Sequence, residues 1–106
     1  MIISNIGEYK NGWFIGDFEP SIFKNTFFEI AHHKNKKNEE TTPHTHKVTT
    51  ELNYILKGKL NVSGNILKSG DIWIYEKNEI SDVQFLEDSE LMVIRWPSIP
   101  TDKYIV

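Results

Sequence analysis

At 106 residues the chain has the length of one small domain, with no room for a second, substrate-holding unit. It contains no cysteine, which excludes a disulfide framework, a thiolate metal site and a cysteine nucleophile together. A formal net charge of -3 is the wrong balance for a nucleic-acid binder, and no run is long and apolar enough to span a bilayer. The opening "MIISNIGEYK" lacks a basic region followed by an apolar core, so a soluble cytoplasmic protein is expected. In that setting the sequon "NVS" at Asn61 is a chance match.

Taken in chain order, short apolar runs rich in Ile, Val, Phe, Trp and Tyr alternate with turn residues, and none carries a helical stripe. The runs are "GWFIGDF", "FKNTFFEIAHH", "ELNYILKGKLNV", "NILKSGDIWIYEKNE" and "DVQFLEDSELMVIRW". Gly58, Ser63-Gly64-Asn65, Ser69-Gly70-Asp71 and Glu87-Asp88-Ser89 supply the Gly and Asx chemistry of tight turns. This spacing predicts an antiparallel barrel or sandwich. In the second run "HHKNKK" is locally positive, but "NEE" follows and offsets it, as in a solvated strand end and loop. His32 and His33 take opposite faces of that strand, so at most one looks inward. Pro97 and Pro100 interrupt ladder pairing, which makes the tail an extended edge or a strap across the surface.

The stretch "PHTHKVTTELNYILKG" gathers the chemistry. His44 and His46 share a strand face with Thr45 on the other side, so two imidazoles look toward one point. Glu51 has the opposite parity and joins them only if the chain turns, or changes strand, within "KVTT". With that turn, two nitrogens and a carboxylate would leave open positions on a divalent transition metal such as Zn, Fe, Mn or Ni. Without a metal the same residues would form a polar cluster satisfied by mutual hydrogen bonds. Asn53 and Ile55 continue the wall below Glu51, while Tyr54 faces away. In "DIWIY", Trp73 and Tyr75 share one face and Ile72 and Ile74 the other. Trp13, Phe14, Phe18, Trp73 and Tyr75 read as core or subunit-interface residues. Arg95 travels with Val93 and Leu91; turned inward it could grip a carboxylate or phosphate, and otherwise it is an edge-strand arginine in solvent.

These residues resemble the cupin superfamily, small jelly-roll β-barrels whose first motif, G-x5-H-x-H-x4-E-x6-G, maps without a gap onto 38–58. It places His44, His46, Glu51 and Gly58, and Asn38 replaces the leading glycine, a mild change because Asn tolerates positive φ. The second motif, G-x5-P-x-G-x2-H-x3-N, is degenerate over 70–85. Gly70 fits, but Glu76, Asn78, Ser81 and Phe85 replace proline, glycine, histidine and asparagine. The whole chain further resembles small single-domain cupins with an opening like "GEYKNGWFIGDFEPS" and a close like "PSIPTDKY".

The resemblance implies an all-β, single-domain cupin jelly-roll β-barrel over 1–106. It also implies a metal held by His44, His46 and Glu51, with water, Asp82 or Gln84 completing the shell. Asp82 stands beside the missing third histidine and needs a local bulge to turn inward as ligand or acid/base group; otherwise it is a turn carboxylate. Asn53, Arg95 and Gln84 are the expected ligand-binding groups.

Three functions are compatible. One is a metal-dependent isomerase or oxygenase acting on a sugar derivative or organic acid, with Asp82 moving a proton. A second is a non-catalytic module that binds or senses a small ligand. A third is a metal-free, epimerase-like protein with a histidine base and a tyrosine acid, for which Tyr54 faces the wrong way. A homodimer built on aromatic and edge-strand contacts is expected, with "IISNI" or "KYIV" contributing, because open edges are a liability in so small a β-protein.

Overall fold

The alternating runs become strands, and a computed structural model describes them over residues 1–106. After two 3-10 turns, Ile6–Glu8 and Lys10–Gly12, come β1 (Trp13–Ile15), β2 (Glu29–Asn35), β3 (His44–Thr45) and β4 (Thr50–Lys57). Then follow β5 (Lys59–Val62), β6 (Asn65–Lys68), β7 (Ile72–Tyr75) and β8 (Ile80–Ser81). The chain closes with β9 (Val83–Phe85), β10 (Ser89–Trp96) and β11 (Tyr104–Ile105).

One wall is a five-stranded sheet in the order β1-β2-β10-β4-β7. The other wall is two three-stranded sheets, β11-β3-β8 and β6-β5-β9, and all strand pairs are antiparallel. Crossing between walls is how so short a chain closes a barrel: β3 and β4 are close in sequence yet belong to different sheets. The expected all-β jelly roll is present.

Strict alternation decides what enters the barrel. Ala31, Ile55, Leu91, Val93 and Tyr75 from the large sheet meet Leu60, Val62 and Phe85 from the opposite wall to form the buried core. Trp13, Leu67, Trp73 and Val83 pack against its edge. On the outer face of the large sheet Ile72 and Ile74 stay 60% and 47% exposed, beside partly exposed Tyr54 and Leu56.

Two turn positions follow from backbone sterics. Gly58, with φ +100° between β4 and β5, has Ser89 where a β-carbon would stand, so a side chain is excluded there. Asn38, in the place of the first motif's glycine, adopts φ 64°, the left-handed conformation that Asn accepts at low cost. Beyond β10, Pro97 begins a strap: Ser98 donates its amide to the Thr26 carbonyl (3.0 Å) and accepts from the Asp17 amide through its hydroxyl (2.8 Å). The strap then runs into β11 beside β3, so the tail is both strap and edge strand.

Candidate functional site

The bend on which the histidine site depends is built from the far end of the chain. Asp102, 4% exposed, accepts the backbone N–H groups of Lys47 (3.0 Å), Val48 (2.9 Å) and Thr49 (2.8 Å). A turning backbone leaves such donors unpaired, and one carboxylate satisfies all three. Burial opposes its charge, yet these amide bonds outweigh burial and hold the Asp102 carboxyl below the usual carboxylate range. The same residue's carbonyl lies 3.2 Å from Nδ1 of His46. Asp102 therefore fixes both the crossing from β3 to β4 and the ring at its corner.

The crossing brings the imidazoles to the glutamate. The His44 and His46 rings pack edge to face, centroids 5.1 Å apart, and His46 Nε2 lies 3.7 Å from Glu51 Oε1. His44 Nδ1 is 3.0 Å from the Thr42 carbonyl. Carbonyl oxygens only accept, so both rings donate from Nδ1 and each neutral ring carries its lone pair on Nε2. Both Nε2 atoms are buried without a hydrogen-bond partner. The two residues line a void of about 10 Å³, together with Glu51, Tyr75 and Ser81, the size of one water or ion. Burial, together with the nearby Arg95 charge, pushes the His46 pKa down and favours the neutral, ligating form.

Glu51 is the departure from the expected three-ligand centre. It is buried and faces inward, but its Oε1 accepts from Arg95 Nε at 2.6 Å and its Oε2 from Asn53 Nδ2 at 3.0 Å. Burial alone would raise its pKa; the Arg95 charge and the hydrogen bonds from Asn53 and Arg95 win and keep the carboxylate ionised. No three His, Asp or Glu side chains converge in metal-holding geometry. The donor chemistry fits a borderline-soft divalent ion at the imidazole pair, whereas the carboxylate is engaged by a cation of the protein's own.

Arg95 takes the inward one of its two sequence readings. β10 is central in the sheet, so Arg95 is no edge residue: it is turned inward over the Trp13 ring, 4.6 Å from the centroid, and its Nη1 lies 3.6 Å from Glu29 Oε2. Glu29 was not singled out from the sequence. Its placement in register with Arg95 on β2, and its 2% exposure, make it the second carboxylate of the barrel interior. Burial pushes its pKa up against the opposing pull of Arg95.

Asp82 and Gln84 do not reach the site. Ser81, Val83 and Phe85 turn inward in unbroken alternation, no bulge shifts the parity, and Asp82 and Gln84 are left exposed. Asp82 instead offers its carbonyl to the Ser63 amide at 3.1 Å. Ser81 does stand opposite His44 in register, at the site but with a side chain too short to replace an imidazole.

Tyr75, read as core or interface, is in register with Glu51 and lines the small void; its hydroxyl lacks a hydrogen-bond partner, and burial pushes its pKa up. Trp73 Nε1 is likewise buried without a partner. Tyr54 faces out, as parity requires. His33 looks inward, its ring edge-on to Trp13 (5.4 Å) with Nδ1 donating to the Asn11 carbonyl (2.8 Å), while His32 pairs with Glu90 at 3.0 Å. Beside the small void opens a cavity of about 1040 Å³, lined among others by Trp13, His33, Asn53, Trp73 and Arg95. That is ample for a small-molecule ligand.

No protein-family model matches the sequence, and neither does any curated protein. Solved structures do match. A protein with a double-stranded β-helix domain from Klebsiella pneumoniae shares 16% identity at a TM-score of 0.68, over 91% of this chain and 84% of that one. A cupin-2 domain protein from Shewanella frigidimarina shares 19% identity at a TM-score of 0.58, over 69% and 74% of the two chains. The DMSP lyase DddQ from Ruegeria pomeroyi shares 15% identity at a TM-score of 0.70, over 89% of this chain but 49% of that one. The chain has the cupin fold, the double-stranded β-helix of these structures. No helix is long and apolar enough to cross a membrane.

Proposed function

We propose that this cupin-fold protein binds a small oxygenated molecule in its barrel and holds a divalent transition metal (Zn, Fe, Mn or Ni) through His44 and His46. One observation carries the reading: His44 and His46, ring centroids 5.1 Å apart and tautomers set by backbone carbonyls, each bury an Nε2 without a partner and together line an ion-sized void. Leaving such atoms unsatisfied is costly unless something occupies them. When bound, the metal would supply Lewis-acid polarisation of a ligand oxygen.

The rest of the chemistry falls to the chain itself. Tyr75 offers a hydroxyl at the void and replaces Asp82 as the group placed to hand over a proton. Trp73 Nε1 offers an N–H to a ligand oxygen, and Trp13 and His33 provide apolar walls. A sugar derivative or organic acid suits this mixture of flat apolar surface and few polar groups. The likeness to a protein described as a lyase supports small-molecule work in a barrel of this shape.

Elemental analysis of freshly purified protein is expected to find a transition metal near one per chain, lost in His44→Ala and His46→Ala. Metal-free protein, with ligand binding indifferent to both substitutions, would reject the reading.

The hold of Arg95 on Glu51 favours a second reading, in which the cavity binds its ligand without turning it over. A ligand that raises the melting temperature and is recovered unchanged after long incubation with metal-loaded protein would select it. The third possibility, metal-free acid/base chemistry, finds its tyrosine in Tyr75 and would be marked by activity undiminished in excess chelator.

We place the protein in the cytoplasm, for which the lack of cysteine is suitable, and read it as a homodimer. The exposed Ile72, Ile74, Tyr54 and Leu56 support the outer face of the large sheet as the contact. Sedimentation is expected to give a dimer for the natural chain and a monomer for Ile72→Lys/Ile74→Lys; a monomeric natural chain at micromolar concentration would refute it.

A further inference from the structure

Glu29, Arg95, Glu51 and Tyr75 form one cross-strand row on the inner face of the large sheet, each the register partner of the next. Arg95 is thus flanked by a carboxylate on either side. The two are held unequally: Nε is 2.6 Å from Glu51 Oε1, whereas Nη1 is 3.6 Å from Glu29 Oε2, beyond hydrogen-bond reach. Glu29 Oε1 is buried and makes no hydrogen bond within 3.5 Å, although the Ser98 side chain and the Ile99 backbone lie near enough to the carboxyl to oppose the effect of its burial. A buried carboxylate left half-paired beside a guanidinium is a second seat for that guanidinium.

We propose that Arg95 passes from Glu51 to Glu29 when a divalent ion enters between His44 and His46, so that Glu29 is a positioning residue for a metal it never touches. The inference rests on the metal reading given above. Its physics is a competition. A carboxylate that accepts a 2.6 Å bond from a guanidinium has its charge already neutralised and its Oε1 occupied. A dication beside His46 attracts that same carboxylate and repels the guanidinium, and burial strengthens both terms.

Arg95 can yield only if another negative group takes it. Glu29 stands in register on its far side, and a displacement on the order of 1 Å would bring Nη1 into bonding distance. The Trp13 face, 4.6 Å from the guanidinium carbon, gives a flat surface over which the planar group can move while the cation–π contact is kept. An anion-gripping role for Arg95 is the weaker assignment, since both of its neighbours in the row already carry carboxylates.

Zinc affinity, read by competition with a chromophoric chelator, tests the exchange. Glu29→Gln should leave Arg95 on Glu51 and weaken zinc binding by about tenfold, the size of an ordinary coupling between two sites. In a Glu51→Gln background the same substitution should change nothing, because the contested carboxylate is gone. Arg95 is the only arginine in the chain, so its Nε–H resonance is assigned without ambiguity and reports the exchange in the unsubstituted protein. That signal should move when zinc is added, and the spectrum decides the matter even if Glu29→Gln fails to fold.

Equal zinc affinity in Glu29→Gln and the natural chain, an equal loss in both backgrounds, or an Arg95 signal unmoved by bound zinc would overturn the exchange and leave the metal reading standing. Failure of the natural chain to bind zinc, or binding that survives His44→Ala and His46→Ala, would overturn both.

Discussion

The Asp102 carboxylate and the His44/His46 pair lie on the same corner of the barrel and differ in one respect. Every strong acceptor position Asp102 offers to the bend is used, by three backbone N–H groups within 3.0 Å. Each imidazole is satisfied on Nδ1 and left bare on Nε2. A polar group whose bonds all close inside the protein maintains shape; one oriented by a single bond, with its other end buried and empty, is prepared for something else. Position alone does not separate them, since His46 and Asp102 touch.

The contrast can be broken most readily at Asp102. Replacing it with alanine strands three amide donors at a buried bend, and about 3 kcal/mol or more should be lost in urea unfolding, with metal uptake lost alongside as the corner relaxes. A loss below about 1 kcal/mol would mean that the bend holds itself. The pH dependence sharpens the point. Because the folded carboxyl is held below its unfolded value, its contribution is complete above about pH 4 and is lost as pH falls through the folded pKa. Asp102→Asn should therefore flatten the acid limb of the stability profile below about pH 4 and leave the neutral region parallel to the natural protein.

The smallest effect on stability is expected at the histidines. His44→Ala and His46→Ala should each shift apo-protein stability by about 1 kcal/mol or less, because unpartnered polar atoms at functional positions add little to folding. Losses as large as that of Asp102→Ala would reassign the rings to the structural side of the comparison.

Much of this was legible from spacing. Parity put Trp73 and Tyr75 on one face and Ile72 and Ile74 on the other, carried Asn53 and Ile55 below Glu51, and required a turn after His46. Asn38 took the positive φ expected of a glycine's substitute. What escaped depended on contacts distant along the chain. Asp102 lies more than 50 residues from the amides it caps, and nothing local to "PTDKY" announces that task. Glu29 sat in an apolar run with no motif around it. Arg95 kept an inward and an edge reading because the sequence gives no strand order, and β10 turned out to be central. Asp82 needed a bulge to turn inward and the chain makes none, so Asp82 and Gln84, both named as groups that could complete the shell, stay outside.

Metal binding at the barrel corner depends on which nitrogen of two rings carries the proton. A long-range proton–nitrogen spectrum of the four histidines should show His44 and His46 as Nδ1–H tautomers with bare Nε2, and zinc should shift those two Nε2 signals while His32 and His33 stay in place. Nε2–H tautomers at His44 and His46, or spectra that zinc leaves unchanged, would contradict it.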